Sequence, residues 1–336
     1  MFYKDKLESL KDIFGTTAVK LEPGKLIVIG RVYPIVDDVI ILLDPLQYPP
    51  ALKERIKGRE LKDQPVSDFA EDIQFTFGQE WLKFPKIMPE HKEEFSQYFD
   101  LVDTSVLENS RVCDLGCGIG RWSYFLNSLC RELILVDFSE AIFVARRNLK
   151  ESSRAIFFMG DLKRLPFREG FADFLFCLGV LHHLPTNALG EVRNLKKYAA
   201  TLLIYLYYSL DNRSFYYRFL LSAVTAVRTL ASKIRNDSFR AALTELIAVF
   251  IYCPLVGLGK IFNLFRLGRL VPLYEGYNGK GLKRIRQDVY DRFFTRIEQR
   301  VSRKDILALK DSFEVIKVSE NIPYWHFLCQ TEKNGV

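Results

Sequence analysis

The chain has 336 residues, of which 49% are hydrophobic and 26% are charged, and its formal net charge is +7. This balance is typical of a folded soluble protein and excludes disordered and collagen-like chains. The six cysteines show no C-x-x-C pair and no zinc spacing, so we expect reduced thiols and no metal. Charges interrupt the N-terminal stretch MFYKDKLESLKDIF, which therefore does not resemble a signal peptide, and we expect a cytoplasmic protein.

The positive charge is unevenly distributed. Residues 212–287 contain 13 lysines and arginines against 3 aspartates and glutamates, a local charge of +10 that leaves −3 for the rest of the chain. Such a segment attracts an anionic membrane surface, a nucleic acid or an acidic substrate. The alternative is that these cations are scattered and solvated.

Residues 1–60 predict a small N-terminal β segment with a structural role. Residues 26–29 and 33–43 are apolar runs joined by a turn through Gly30, the pattern of a hairpin. Residues 61–105 predict a helical linker or cap. Their aromatic stretch FTFGQEWLKF contains Trp81, which we expect to cover a ligand pocket, with aromatic core packing as the alternative.

From Arg111 onward, strands alternate with helices, which is typical of a doubly wound α/β sheet. Strands are predicted at residues 112–114, 132–136, 155–159, 173–178 and 201–207, and a closing hairpin at 313–319 and 324–331. The first helix after residue 114 has apolar side chains at i, i+3, i+4 and i+7, namely Trp122, Phe125, Leu126 and Leu129.

Residues 208–312 interrupt this alternation and predict a helical insertion. Residues 215–234 are expected to form an amphipathic helix. The uncharged run 246–259 has 14 residues and contains Pro254, whereas a membrane-spanning helix needs roughly 20, so we predict a buried or interfacial hairpin. Residues 288–303 read as a charged helix. We expect this insertion to act as a lid or acceptor pocket lined by Tyr274, Tyr277, Tyr290, Phe293 and Arg296.

A glycine-rich turn follows the first of these strands. Gly116, Gly118 and Gly120 stand at alternate positions after Asp114, where they permit a tight bend and let a ligand lie against bare main chain. The spacing fits neither the G-x-G-x-x-G dinucleotide fingerprint nor the P-loop. We therefore predict a site for a nucleoside without phosphates, with a plain connecting turn as the alternative.

Carboxylates end the first three strands of this sheet. Asp114, Asp137 and Asp161 occupy these ends, and the sequence 179–183 ends the fourth strand. Since open α/β sheets bind ligands outside the carboxyl ends of their strands, we expect these groups to share one crevice. Asp137 is placed to accept from ribose hydroxyls, and Asp161 from an adenine amine. The alternative for each carboxylate alone is a helix cap.

Four ordered stretches, VCDLGCGIG, LVDFS, GDLKRLPF and FADFLFCLGVLHHLP, resemble the class I S-adenosylmethionine-dependent methyltransferases, most closely the small-molecule and quinone-biosynthesis branch. The stretch GRVYPIVDDVIILL looks like part of the zinc-ribbon-like domains that accompany some of these enzymes, without their cysteines. The resemblance implies a Rossmann-like, seven-stranded sheet spanning residues 106–335 and S-adenosylmethionine as cofactor.

The same resemblance implies roles for individual residues. Asp114, Gly116 and Gly118 would hold the methionine moiety, Asp137 the ribose, and Asp161 with Leu162 the adenine. Leu178 and Gly179 would line the pocket beside the sulfonium. The remaining cofactor-binding candidates are Cys117, Gly120 and Phe138.

The implied reaction is an in-line attack of an acceptor atom on the sulfonium methyl. A hydroxyl acceptor needs a base, and His182 and His183 are the candidates because histidine titrates near neutral pH. The alternative is that this pair is a family turn signature with a packed ring. His326 is a further histidine expected near the cleft, or else a structural strand residue.

The acceptor is predicted to be small or lipid-like. Methyltransferases of nucleobase nitrogens carry a Pro-Pro-aromatic motif after the fourth strand, whereas this chain has LGVLHHLP. Residues 215–287 combine apolar faces with cations, which favours peripheral contact with an anionic membrane. The alternatives are an RNA methyltransferase that uses the basic segment, and a catalytically silent protein that binds S-adenosylmethionine.

Overall fold

The computed structural model describes residues 2–56, 71–234 and 236–331. Its strands are β1 (Val19–Glu22), β2 (Lys25–Val28), β3 (Arg31–Val36), β4 (Val39–Ile41), β5 (Arg111–Leu115), β6 (Glu132–Asp137), β7 (Ala155–Met159), β8 (Phe174–Leu178), β9 (Thr201–Tyr205), β10 (Val315–Val318) and β11 (Phe327–Gln330). The α-helices are α1 (Leu7–Phe14), α2 (Pro50–Arg55), α3 (Glu71–Lys83), α4 (Glu90–Tyr98), α5 (Arg121–Leu126), α6 (Ala141–Asn148), α7 (Ala188–Leu195), α8 (Phe215–Ala231), α9 (Asp237–Ile247), α10 (Cys253–Asn263), α11 (Tyr274–Tyr277), α12 (Leu282–Phe294) and α13 (Arg303–Leu307).

All of these strands belong to one sheet, in the order β1-β2-β3-β4-β7-β6-β5-β8-β9-β11-β10. The six neighbouring strands from β4 to β9 run parallel, and the hairpin of β10 and β11 closes the sheet in antiparallel fashion. After β7 the chain crosses back to place β8 on the other side of β5. This reversal puts the ends of β5 and β8 at the crevice where such sheets bind ligands.

The parallel strands are apolar because helices cover both faces of the sheet. Every residue of β5, β6, β7 and β8 is buried, as expected for central parallel strands. One face packs against α1 and α7, through side chains such as Leu10 and Val192. The other face packs against α5 and α6, through side chains such as Trp122 and Ile142. The predicted doubly wound α/β architecture is confirmed.

The N-terminal strands continue this sheet. The strands β1 to β4 form an antiparallel meander, and β4 pairs in parallel with β7 through Ile40 and Ile41. The three residues of β4 are completely buried, because the strand is covered on both faces. The sheet therefore has 11 strands rather than the expected seven, because β1 to β4 add four strands to the seven that lie between residues 106 and 335. The predicted domain boundary at residue 60 lies outside the described residues.

A helical segment separates β9 from β10. Helix α8 agrees with the prediction, but the predicted hairpin over 246–259 is wrong, because Asp237–Asn263 is one continuous helix of 27 residues. A π-helical turn at Ala248–Tyr252 joins α9 to α10 just before Pro254. Such a turn shifts the backbone hydrogen bonds locally, so the missing proline N–H is accommodated without a break. By length and composition this helix could cross a membrane, since an 18-residue window within it has a mean hydropathy of 2.0.

Candidate active site

The turn after β5 depends on its glycines. Gly116 has φ +81° and Gly118 has φ +53°, backbone conformations that side chains disfavour. A Cβ at Gly116 would lie 2.4 Å from a methyl group of Val180, and one at Gly118 would lie 3.1 Å from the Trp81 ring. Gly120 has φ +71°, and a Cβ there would meet Leu149 at 2.9 Å. The first two glycines line a cavity, whereas Gly120 permits α5 to pack closely against α6.

Asp137 ends β6 beside this turn and holds it in place. One of its carboxylate oxygens accepts from the Gly118 N–H at 2.8 Å, and the other accepts from the Ser139 N–H and hydroxyl at 2.8 and 2.7 Å. Burial raises the pKa of Asp137, and these hydrogen bonds oppose the shift.

Asp161 follows β7 and accepts from the Lys163 N–H at 3.0 Å. It therefore caps a short helix, which was the alternative role considered for each carboxylate. Asp137 and Asp161 both line the cavity.

Asp114 lies behind the turn, with 2% of its surface exposed. Its carboxylate accepts from the Ser123 hydroxyl at 2.6 Å. Burial raises the pKa of Asp114 to about 8; the Ser123 hydrogen bond opposes this shift and the Asp137 carboxylate adds to it. The described lining of the cavity does not include Asp114, so its direct contact with a ligand stays a prediction.

One cavity gathers most of the predicted cofactor residues. Its wall includes the glycine turn, the ends of β6 and β7 and the turn after β8. The predicted residues that line it are Gly116, Cys117, Gly118, Asp137, Phe138, Asp161, Leu162, Leu178, Gly179 and His183. The structure thus brings together side chains from four successive strand ends, as their spacing predicted.

Helix α3 forms the N-terminal wall of this cavity, as predicted for the aromatic stretch. Ile73, Phe77 and Trp81 line it at helical spacing. The Arg121 guanidinium lies 5.2 Å from the centre of the Trp81 ring and 4.5 Å from that of Trp122, in cation–π contact with both. The ring of Trp81 therefore lies over the turn at Gly118 and is held there by Arg121, the first residue of α5.

Helix α12 forms the opposite wall, with different residues from those predicted. The residues Arg284, Gln287, Asp288, Asp291 and Arg292 line the cavity. The predicted lining residues Tyr277, Tyr290 and Phe293 instead pack in a separate apolar cluster with α8 and α9, and Tyr274 packs against Gly259 and Gly268. Arg296 is exposed. Hydrophobic burial orients α12 so that its charged stripe is left for the cavity. These five residues recur at i, i+3, i+4, i+7 and i+8, a spacing that by itself indicates one polar face of a helix.

Ion pairs fix the position of α12. The Glu94 carboxylate of α4 accepts from Arg284 at 3.0 Å and from Lys280 at 2.7 Å. Burial would raise the pKa of Glu94, but Arg284 and Lys280 outweigh that effect and lower it to about 2. Farther along the helix, Asp291 accepts from the Tyr207 hydroxyl at 2.8 Å. The charged face of α12 is thus tied both to α4 and to the chain that follows β9.

Comparisons with known proteins agree with this arrangement. Residues 112–198 match the model of a family described as a methyltransferase domain. Residues 112–198 are thus similar to a methyltransferase domain. The match begins within β5 and ends just after α7, so it includes the glycine turn and the strand ends that line the cavity. A search of curated proteins found no match.

Solved methyltransferase structures resemble part of the chain. Phosphoethanolamine N-methyltransferase 1 of Haemonchus contortus, in complex with phosphoethanolamine and S-adenosylhomocysteine, is 20% identical with a TM-score of 0.35, over 40% of this chain and 32% of that protein. A methyltransferase of Aquifex aeolicus is 20% identical with a TM-score of 0.33, over 38% and 71% of the two chains. The DhpI–S-adenosylhomocysteine complex is 17% identical with a TM-score of 0.35, over 42% and 70%. The matched region is therefore about a third of the Haemonchus enzyme.

The cavity fits the cofactor expected for such a domain, S-adenosylmethionine. Gly116 and Gly118 leave bare main chain on the wall, where a Cβ would occupy the space. Asp137 and Asp161 place carboxylate groups on that wall at the ends of two neighbouring strands. Within the described residues no group of three or more His, Cys, Asp and Glu side chains is placed to hold a metal ion.

The two adjacent histidines of the methyltransferase domain differ in environment. His183 lines the cavity, and its Nδ1 lies 2.7 Å from the Ile297 carbonyl oxygen. A carbonyl only accepts, so Nδ1 carries the proton and Nε2 has a free lone pair, with no partner among the described residues. His182 is completely buried and stacks on Tyr207, with ring centroids 4.0 Å apart.

His326 is not part of the cavity, and its expected place near the cleft is wrong. Its Nε2 lies 2.5 Å from the Asp100 carboxylate and its Nδ1 lies 2.8 Å from the Pro323 carbonyl oxygen. The residue therefore joins the loop before β11 to the end of α4, which is the structural alternative considered for it.

Proposed function

We propose that the protein transfers the methyl group of S-adenosylmethionine to a small or lipid-like acceptor held between the strand ends and α12. The supporting observation is that one cavity connects the predicted cofactor wall with the charged face of α12 and with His183. A cavity with two chemically different walls suits two reactants placed side by side. Holding reactants in this way can lower the barrier by roughly 7–11 kcal/mol.

The cofactor would supply an electrophilic methyl group on a positively charged sulfur. Asp137 would accept from the ribose, Asp161 and the Leu162 N–H would contact the adenine, and the bare main chain at Gly116 and Gly118 would lie along the methionine part. Asp114 would act from behind the turn through its hydrogen bond to Ser123. Trp81 and Phe77 would exclude water from the reacting groups.

The acceptor would lie against the charged stripe of α12. Arg292 lies within 6.0 Å of the Tyr207 ring centre and 5.8 Å of the Tyr277 ring centre. Asp288 accepts from the Tyr277 hydroxyl at 2.8 Å, and Arg284 and Arg292 lower its pKa to about 2 although burial opposes them. These groups can orient the polar end of an acceptor, and the Tyr207 ring, which lines the cavity, can hold an apolar part. We place the enzyme in the small-molecule branch on this basis.

His183 would act as the general base for a hydroxyl acceptor. Burial lowers its pKa, so the ring is neutral at pH 7 and can accept a proton at Nε2. The Ile297 carbonyl oxygen holds the required tautomer through Nδ1. The proton of the acceptor hydroxyl would pass to Nε2 as the oxygen bonds to the methyl carbon, and the carbon–sulfur bond breaks.

Several cations of the basic segment are paired inside the protein, which favours a small acceptor over RNA. Arg213 pairs with Glu275, and Arg286 pairs with Glu245. Arg284 and Lys280 pair with Glu94. Less positive surface is therefore left to track a phosphate backbone, which is what RNA binding requires.

A label-transfer assay tests the proposed function. Purified protein would be incubated with S-adenosylmethionine tritiated in the methyl group and with a cell lysate separated into organic-soluble lipids, small polar metabolites, RNA and protein. We expect label in the lipid or small-metabolite fraction. Label in RNA would contradict the acceptor class, and tight cofactor binding without label anywhere would favour the silent binding protein.

A further inference from the structure

The exposed apolar side chains of this protein are concentrated in one segment. Of the 27 large hydrophobic side chains that are exposed in the described residues, 18 lie between residues 215 and 270. Phe215, Phe219, Phe250, Leu264 and Phe265 are each more than 70% exposed. Monomeric soluble proteins rarely expose an apolar surface of this extent unless something binds it.

The long helix α9–α10 is apolar on two sides. On the inner side, Ile247, Tyr252 and Val256 are buried in the cluster that also contains Ile285 and Val289 of α12. On the outer side, Phe239, Leu246, Phe250 and Ile261 are all exposed. A helix that is hydrophobic all round is normally covered on every side.

Helix α8 is oriented in a way that leaves apolar side chains in solvent. Arg228 is 9% exposed and pairs with Glu298 at 3.4 Å, while the apolar side chains Phe219 and Val227 are exposed. The ion pair therefore fixes the orientation in which these apolar residues face outward. Together α8, α9 and α10 form an apolar surface that we call the docking face (residues 215–270).

The charges around the docking face point to an anionic lipid surface. Residues 212–274 contain nine lysines and arginines and two acidic residues, and two of these cations, Arg213 and Arg228, pair with Glu275 and Glu298 outside this range. Both acidic residues lie close to cations, Glu245 to Arg286 at 2.6 Å and Asp237 to Lys83 at 3.7 Å. Lys260, Arg266 and Arg269 are exposed beside the apolar residues. An apolar surface bordered by cations suits a leaflet that contains anionic lipids. A second copy of the face would bring like charges together.

We propose that the docking face seats in one leaflet of an anionic membrane, with α8 and α9–α10 lying in the membrane plane. The 27 residues of α9–α10 are about 40 Å long, enough to span a bilayer. However, the inner side of the helix packs on α12, which also lines the catalytic cavity. Crossing the bilayer would strip this contact, whereas lying in the interface preserves it. This proposal does not depend on the acceptor that is methylated.

Vesicle flotation tests the docking face. The full chain would be mixed with vesicles of phosphatidylcholine alone, or with about 30% phosphatidylglycerol, and centrifuged through a density gradient. We expect flotation with the anionic vesicles and at least about tenfold weaker binding to the neutral ones, because the exposed cations Lys260, Arg266 and Arg269 attract anionic headgroups. Equal failure to float with both compositions would overturn the proposal.

A paired set of variants locates the binding. The double variant Phe250→Glu and Phe265→Glu changes two exposed side chains of the docking face, and Leu46→Glu with Val106→Glu changes two exposed apolar side chains elsewhere. We expect only the first pair to lose flotation, with unchanged melting temperature and cofactor affinity in both. Equal loss in both pairs would contradict the assignment. The wild-type protein could instead be a dimer that does not bind vesicles. If the first pair of substitutions then converts it to a monomer, the docking face binds a second copy of the chain.

The depth of tryptophans introduced one at a time distinguishes a helix that lies in the membrane plane from one that spans the bilayer. The native residues Trp81, Trp122 and Trp325 are buried and out of reach of lipid. The variants Phe239→Trp, Phe250→Trp and Phe262→Trp would each be tested with lipids brominated near the headgroup or deep in the acyl chains. We expect the headgroup-proximal bromines to quench all of them most strongly. Deep quenching only at position 250 would indicate a spanning helix and overturn the in-plane placement.

Discussion

At the scale of single residues, His182 and His183 show how neighbouring identical side chains acquire different roles. The 3-10 turn Leu181–His183 buries both rings, but only His183 reaches the cavity wall. Its Nδ1 contacts a carbonyl oxygen of the chain after α12, more than one hundred residues later. The position of the two histidines after the fourth predicted strand made both candidates for the base. The tautomer of His183 and the free lone pair on its Nε2 follow from that distant carbonyl group.

The variant His183→Gln tests the proposed base. Because glutamine keeps hydrogen-bonding groups but cannot take up the proton, we expect kcat to fall by about 10²–10⁴ while cofactor affinity is retained. The matched change His182→Gln should lower kcat by less than about tenfold. Both rates would be measured as label transfer to the acceptor fraction, and cofactor affinity by calorimetry.

The pH dependence gives an independent check on the same residue. Burial lowers the pKa of His183 below its ordinary value. The native kcat/KM should therefore rise through an apparent pKa below about 6.5 and stay level toward higher pH. In His183→Gln this acid limb should disappear. An acid limb of the same position in that variant would assign it to another group.

At the scale of secondary-structure elements, α12 forms the wall of the cavity at which we propose the acceptor lies. Its apolar side chains Ile285, Val289 and Phe293 pack against the long helix, and its charged side chains occupy the cavity wall. Sequence analysis placed the tyrosines and Phe293 at the ligand. The structure shows that the same side chains were needed to attach α8 and α9 to the domain.

The variant Glu94→Gln tests how α12 is held. Removing one partner of a buried ion pair costs about 3–5 kcal/mol, and we expect about 2–3 kcal/mol here because Asp288 still pairs with Arg284. The loss would be measured by urea unfolding at pH 7. Glu93→Gln changes an exposed neighbour on the same helix and should cost less than about 0.5 kcal/mol.

The same pair predicts a pH dependence with a defined sign. The pKa of Glu94 is about 2 in the folded protein, below its value in the unfolded chain. Its contribution to the free energy of unfolding is therefore complete above about pH 4.3 and is lost as pH falls toward 2. The difference between native protein and Glu94→Gln should shrink over that interval. A difference that stays constant down to pH 2 would contradict the ion-pair explanation.

At the scale of the whole molecule, the N-terminal segment is part of the methyltransferase sheet. The strand β4 covers the edge of β7, and Val39, Ile40 and Ile41 are completely buried. Burying one such side chain contributes about 1.5–3 kcal/mol, so three contribute about 5–9 kcal/mol. That amount is comparable with the whole stability of a typical protein, about 5–15 kcal/mol.

Truncation of residues 1–44 should therefore prevent folding. We expect the shortened chain to be insoluble or to lack a cooperative melting transition, because the apolar edge of β7 would be exposed. The variant Ile29→Ser serves as a control, since this side chain is 73% exposed in the same segment and should leave the melting temperature within a few degrees. A soluble truncated chain that still binds S-adenosylmethionine would show that the segment is dispensable.

Local patterns in the sequence were sufficient for the cofactor side of the molecule. The strand positions of β5 to β9, the glycine turn and the order of Asp137 and Asp161 all follow from short-range periodicity and from the rule that parallel strand ends share one edge. These features depend on residues close together in the chain, whose spacing is visible directly.

The acceptor side and the surface were decided by tertiary structure. Which stripe of α12 meets the cavity depended on burial of its apolar stripe against α8 and the long helix. The pairing of β4 with β7 joined residues more than one hundred positions apart. The continuity of α9–α10 past Pro254 depended on a π-helical turn and on packing against α12. Such outcomes rest on long-range contact energies, which no local pattern encodes.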